Sequence, residues 1–305
     1  MEDNFHQVTN YTVTSEYEGV RLDNCLIAKL KGLPRTKIYS IIRKGEVRVN
    51  KSRSKPSMKL KKGDLIRIPP HRTSSISKVF TSKNIKERVS NSIIASEKDF
   101  LILNKPVGIA CHGGSGISSG VIEALREIDG RYKDAQLAHR IDRDTSGCLV
   151  IALKKSFLRK LHQEIRNKQV DKIYDLVVFG NWPKELTSVN KPLLKSKGKS
   201  GEREAIIDKN GKESSTEFTL KETNKSYSLL KAKIITGRMH QIRVHVTSEG
   251  YPIVGDIKYG DESLNEKARE KGLNRMLLHA NSISFKNLGI KCSTDTPNLF
   301  KEIMS

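Results

Sequence analysis

An α+β fold in two modules is predicted: a small unit of two helices followed by strands, then a larger domain of mixed, largely antiparallel sheets with flanking helices. Three observations predict it. The chain has 305 residues, more than the roughly 100–200 of one domain. Its charge is partitioned: residues 1–20 carry four acids and no Lys or Arg, whereas residues 21–90 carry 20 basic and four acidic side chains. The patterning also changes. Two helical periodicities precede two strand-like runs before residue 70, and many short apolar runs separated by turn signals follow residue 92.

The first helix follows from Leu22, Leu26, Ile27 and Leu30, and the second from Ile38, Ile41 and Ile42, all at helical spacing. Gly32-Leu33-Pro34 breaks the chain between them, and Gly45 ends the second helix after Lys44. Val47 and Val49 then alternate with Arg48 and Asn50, and Leu65, Ile66 and Ile68 run up to Pro69-Pro70. Arg35, Lys37, Arg43, Lys44, Arg48, Lys51 and Arg53 gather at the helix-to-strand corner, a basic face suited to an RNA backbone. Expected boundaries are an N-terminal segment over 1–20, the basic module over 21–70, a mobile polar linker over 71–92 and a second domain over 93–305.

A net charge of +22 points to a partner bearing phosphate or anionic lipid. Lipid is the weaker reading. The longest uninterrupted apolar run, Cys148 to Leu153, is far shorter than the ~20 residues of a spanning helix, and the polar start lacks a signal-peptide core. A cytoplasmic monomer without membrane contact is expected. Cys25, Cys111, Cys148 and Cys292 stand without a CxxC or a His-spaced pair, which suggests neither a disulfide framework nor a zinc site.

In the second domain, Ile93 to Leu103 reads as two short strands around Glu97-Lys98-Asp99, and Asn104 to Gly108 turns the chain out of the second. Helices are expected near Val121–Ile128, Phe157–Lys168, His240–Glu249 and Glu262–Lys271. Gly113-Gly114-Ser115-Gly116 has the composition of a phosphate loop, but no GKS/T follows it, so it reads as a flexible loop near the site. His139 to Leu153, HRIDRDTSGCLVIAL, leads a polar turn into an apolar strand, placing Asp142 on a loop that feeds a buried strand. Arg140 and Arg143 flank Asp142 and favour its ionised form, leaving two roles open: a structural ion pair, or a nucleophile or base. Tyr174, in KIYDLVVFG, reads either as sheet packing or as an aromatic face for an unstacked base. Arg243, beyond a Thr-Gly turn, is of the type that holds a carboxylate. His240 and His245 are not an HExxH pair, since Gln241 stands where the Glu belongs.

The stretch Arg21 to Pro69, through its GEVxVNxxxxKP and GDxIxIP segments, closely resembles the S4-like RNA-binding domain. HRIDRDTSG, KIYDLVVFG and TGRMHQIRVH, in this order, resemble the three core motifs of the RluA family of pseudouridine synthases. LILNKPVGIACHGGSG, GDIKYG and LNRMLLHANSISF extend the resemblance from about Val13 to the C-terminal region. Ile141 replaces the usual Leu, Met239 the usual Thr or Ser, and Cys292 to Ser305 match poorly. Within the family, the S4-like segment, the HGGSG loop and Pro192 to Glu204 look most like members that act on large-subunit ribosomal RNA. The resemblance implies isomerisation of uridine to pseudouridine in that RNA or in pre-ribosomal particles. It implies Asp142 as the essential aspartate, Tyr174 as the aromatic stacked under a flipped base, and Arg243 as the ion-pair partner of Asp142. RNA contacts are expected from the seven basic residues above together with Arg140, Arg238 and His240. The reaction breaks one C–N bond and forms one C–C bond without net redox change or hydrolysis, so neither cofactor nor metal is expected. Whether Asp142 attacks the base, attacks the sugar or abstracts a sugar proton stays open. A non-catalytic RNA-binding assembly factor is the alternative, opposed by the intact Asp, Tyr and Arg. A metal-dependent nuclease is disfavoured because the close carboxylate pair of the motif, Asp142 and Asp144, is flanked by arginines that would compete with a cation.

Overall fold

The computed structural model describes residues 3–30, 32–74, 80–114, 117–198 and 201–305. The chain divides into two compact units, Met1–Lys78 and Val79–Ser305.

In the first unit the two expected helices form at Leu22–Lys29 and Arg35–Arg43. Their apolar stripes meet in one core, where Leu22, Leu26, Ile38, Ile41 and Ile42 are almost fully buried, each worth about 1.5–3 kcal/mol by area removed from water. Pro34 stands at the N-cap, just before the second helix, and its carbonyl accepts the amides of Lys37 and Ile38. Gly45 adopts φ +74°, and a Cβ there would lie 2.6 Å from Arg53 Nε, so the turn out of the helix needs glycine. A four-stranded antiparallel sheet packs with these helices, in the order Thr9–Thr12, Leu65–Ile68, Arg48–Val49, Ser52–Arg53.

Two expectations about segments around this module are corrected. Residues 1–20 are not a separate segment: Thr9–Thr12 pairs with Leu65–Ile68, and Val13 is buried in the module's core. Nor is 71–92 a featureless linker. His71–Ser74 pairs with Asp3–His6, and Lys83–Ser90 forms a helix capped by Ser82, whose side chain accepts the Ile85 amide. Ile85 and Val89 lie four apart on one face of that helix, and Val89 is fully buried in the core of the second unit. Two apolar residues are too few to show a period in sequence, and they order the helix only once a core receives them. Residues 75–79 of the expected linker lie outside the described residues.

The second unit is built on a ten-stranded sheet. Its main path runs Ser188–Val189, Thr216–Thr223, Tyr227–Ile234, Val170–Phe179, Leu278–Phe285, Ser146–Ala152, Phe100–Lys105, Ile93–Ser96. Ile290–Ser293 adds to Leu278–Phe285, and Gln136–Leu137 to Ser146–Ala152. Only Ser146–Ala152 beside Leu278–Phe285 is parallel, so the sheet is mixed and largely antiparallel as expected. Every residue of Ser146–Ala152 is buried, which is why that strand reads as a continuous apolar run rather than an alternation. Helices form at Val121–Ile128, Lys155–Arg166, Gln241–Ser248 and Glu262–Glu270. The last residues, which the sequence left unassigned, form the strand Ile290–Ser293 and the helix Asn298–Glu302, with Phe300 fully buried. No helix among the described residues is long and apolar enough to cross a membrane.

Candidate active site

The loop Ile141–Thr145 enters the buried strand at Ser146, and backbone contacts hold it at both ends. Val150 N–H donates to His139 Nε2 at 3.1 Å, a bond that needs a neutral imidazole, and burial, then the charge of Lys172, depresses that imidazole to about 3. Cys111 Sγ donates to the Ile141 carbonyl. The Arg143 carbonyl accepts from Gly108 N–H at 2.9 Å and from Lys105 Nζ at 3.0 Å. Lys105 is fully buried and spends its other donors on the carbonyls of Pro106 and Ile109, both at 2.8 Å. Burial lowers its ammonium to about 8, so it is a charge held by carbonyl dipoles. Gly147, at φ +110°, ends the loop where a Cβ would lie 2.3 Å from the Ala280 carbonyl oxygen.

Asp142 emerges from this loop with its side chain 25% exposed. The two flanking arginines do not bond it: Arg143 Nε pairs with Asp144 at 3.2 Å, and Arg140 lines the cleft without an ion pair among the described residues. The partner is Arg243. Its Nη1 donates to Asp142 Oδ2 at 3.3 Å, while Nε and Nη2 grip Asp256 bidentately at 2.8 and 2.7 Å. Asp256 is fully buried and also accepts the amides of Lys258 and Tyr259. Burial alone weakens a guanidinium's charge, but the bonds to Asp256, and then Asp142, outweigh it and raise Arg243 above its ordinary value. His240 Nε2 lies 3.9 Å from the same Oδ2. Among the described residues Oδ1 carries no hydrogen bond, so one oxygen is held and the other is free to react.

Tyr174 lies beside a sheet irregularity. The register between Val170–Phe179 and Leu278–Phe285 shifts between Ile173 and Asp175, so that Tyr174 stands opposite two residues, Ala280 and Asn281, and the extra residue belongs to Leu278–Phe285. Tyr174 lines the same cleft as Asp142 and is buried, 8% exposed. Burial, then the nearby Asp142 charge, pushes the phenol well above its usual range, so it stays protonated at neutral pH. Tyr174→Phe is therefore expected to keep most RNA affinity, and Tyr174→Ala to lose about 1–3 kcal/mol of stacking. Paired titration and single-turnover measurements check this; a Phe variant with normal affinity and no turnover assigns the hydroxyl a proton-transfer step instead.

The cleft has a volume of about 850 Å³. Its lining is basic: besides Arg140 and Arg238 it includes Arg166, Lys168, Lys172, Lys195 and Arg203, none of which the sequence singled out. Arg238 Nε donates to the Glu213 carbonyl. In the first unit Arg35, Lys37, Arg43, Lys44, Lys51 and Arg53 are exposed and Arg48 is half-buried. Ser115 and Gly116 of the glycine-rich loop lie outside the described residues; Gly113 is tied by its amide to Glu123. Lys105, Asp256 and Tyr259 were also missed. Only the NKPVG and GDIKYG turns signalled their places, and a turn does not reveal which polar side chain it buries.

A lone carboxylate clamped by a buried arginine, in a basic cleft with a tyrosine wall, defines an enzyme that works on a polyanion. Residues 99–248 match the family described as RNA pseudouridylate synthase, and residues 20–66 match the S4 domain. The ribosomal large subunit pseudouridine synthase C of Haemophilus influenzae is 47% identical over 278 residues, covering 90% of this chain and 86% of that one. The protein of the same name from Escherichia coli is 43% identical over 281 residues, covering 91% and 88%. The solved structure of human RNA pseudouridylate synthase domain containing 4 superposes with a TM-score of 0.58 at 22% identity, over 72% of this chain and 93% of that one, a likeness of fold. The chain belongs to the RNA pseudouridylate synthase family and is a pseudouridine synthase, an isomerase, with an S4 domain before its catalytic domain.

Proposed function

We propose that this enzyme isomerises uridines of large-subunit ribosomal RNA, with Asp142 as the reacting carboxylate, Tyr174 packing under the flipped base and Arg243 holding Asp142 oriented. The observation that carries this reading is the one-sided clamp on Asp142: Arg243 engages Oδ2 and leaves Oδ1 open to the basic cleft. The large-subunit substrate is supported by the names of relatives that match about nine-tenths of this chain. The base must leave its stack to reach a carboxylate inside a cleft, and contacts to aromatic and basic side chains offset the unstacking cost. The test is tritium release from [5-³H]uridine-labelled ribosomal RNA, because the base rejoins the sugar through C5, with carbodiimide mapping of large-subunit RNA from cells with and without the protein. Absence of both tritium release and a protein-dependent site overturns the substrate.

The first unit is proposed to supply sequence-independent RNA affinity. Removing residues 1–78, and not the helix at Lys83–Ser90 that packs into the catalytic core, is expected to weaken binding and flatten the fall of log affinity with log salt, since fewer phosphates are neutralised. Equal slopes for the two forms would show that the exposed Lys and Arg of this unit do not contact the RNA.

A further inference from the structure

Tyr259 ends the turn that begins at Gly255 and lies between Asp142's two nitrogen neighbours. The Arg243 guanidinium sits 4.9 Å over its ring centre, and the His240 ring meets it edge-on at 5.4 Å between centroids. Its hydroxyl oxygen makes two hydrogen bonds. Ala205 N–H, on the hairpin strand Arg203–Ile207, donates to it at 2.8 Å, and His240 Nδ1 lies 2.7 Å away.

Those two contacts determine where the protons are. A backbone N–H can only donate, so the phenol oxygen accepts from Ala205. If Nδ1 also donated, the phenolic proton would have no acceptor among the described residues. The arrangement that leaves every proton partnered has Tyr259 Oη–H donating to Nδ1, a tautomer assigned from hydrogen-bond balance. Burial supports it at both ends, raising the phenol above its ordinary value and lowering the imidazole below its own, so that the first keeps its proton and the second is neutral. A neutral imidazole accepting at Nδ1 carries its proton on Nε2. That nitrogen is the one 3.9 Å from Asp142 Oδ2. His240 is held at this place by a left-handed backbone, φ 53°, at the N-cap of Gln241–Ser248.

We propose that Tyr259, oriented by the Ala205 amide, is a positioning residue that fixes His240 as the Nε2–H tautomer, so that His240 presents a donor rather than a lone pair to Asp142. Arg243 and His240 then face the same carboxylate oxygen, and both depend on the Gly255–Gly260 turn: Arg243 through Asp256, His240 through Tyr259. The inference rests on the reading of Asp142 as the reacting carboxylate.

The test has a spectroscopic arm that needs no substrate and a kinetic arm that does. Long-range ¹H–¹⁵N spectra of the full-length protein at neutral pH are expected to show His240 protonated at Nε2, with Nδ1 at the shift of an acceptor. In Tyr259→Phe that single tautomer is expected to be lost. Turnover on ribosomal RNA is expected to fall about tenfold with RNA affinity unchanged, and the melting temperature to drop by a few degrees because the Ala205 amide loses its acceptor. His240→Asn, a residue that tolerates positive φ, is expected to lose at least as much turnover, and the double variant no more than His240→Asn alone, since both act through one path. A wild-type proton on Nδ1, an imidazolium, unchanged turnover in Tyr259→Phe, or additive losses would each overturn the proposal. An enzyme silent on ribosomal RNA would overturn the proposed substrate instead, while the tautomer in the free protein still decides the role of Tyr259.

Discussion

Asp142→Asn is expected to lower single-turnover tritium release more than about 1,000-fold, the scale on which losing a nucleophile or general base acts. An amide of nearly the same shape still accepts from Arg243, but it lacks the charge needed to attack a carbon or take a proton. RNA affinity and melting temperature are expected to stay near wild type, because the loop is held by the Arg143 carbonyl, Lys105 and His139 rather than by the Asp142 side chain. Asp144→Asn is the control. Asp144 forms an exposed pair with Arg143, a contact worth about 0–1 kcal/mol, so its loss is expected to change the rate less than about fivefold. Comparable losses in both variants would remove Asp142 from its assigned role.

Arg243→Leu is expected to lower stability as well as rate. It strips the counter-ion from Asp256, whose side chain is fully buried, and breaking a buried pair by removing one partner costs about 3–5 kcal/mol. Thermal unfolding should show that loss directly. Arg243→Lys separates the two effects. A single ammonium keeps a positive charge near Asp256 but cannot grip it with two parallel bonds while reaching Asp142, so most of the stability is expected to return while the rate stays low. On the rate, Asp142→Asn combined with Arg243→Lys should be little worse than Asp142→Asn alone, because the two groups act as a unit. A Lys variant with full activity would show that charge alone, without the bidentate anchor on Asp256, is enough to prepare the carboxylate.

Much of this molecule is local and therefore readable along the chain. The helices Leu22–Lys29, Arg35–Arg43 and Val121–Ile128 follow from apolar residues three and four apart, and the placement of Asp142 before a strand follows from a polar turn running into six apolar residues. Motif order identified the reaction family because the three segments that meet at the cleft keep their side-chain types in sequence. Other features depended on partners that no local window contains. The helix Lys83–Ser90 and the strand Thr9–Thr12 exist because a core and a sheet edge receive them.

What the sequence by itself determined is the inventory: a basic S4 module, an α+β catalytic domain, and an aspartate, a tyrosine and an arginine in three motifs. Only the tertiary structure decided their geometry. Folding brings Arg243, on the helix Gln241–Ser248, to Asp142 across 101 residues, in place of the adjacent arginines. The assembled sheet sets Tyr174 on the same cleft as Asp142, a placement β-propensity does not give. Asp256, Tyr259 and Lys105 acquire their roles from burial, and burial is a property of what packs around a residue. The physical reason is range: helical and strand periodicity is set over three to eight residues, whereas the pairing of charges and the direction of a hydrogen bond are set by whichever distant segments the folded core brings within about 3 Å.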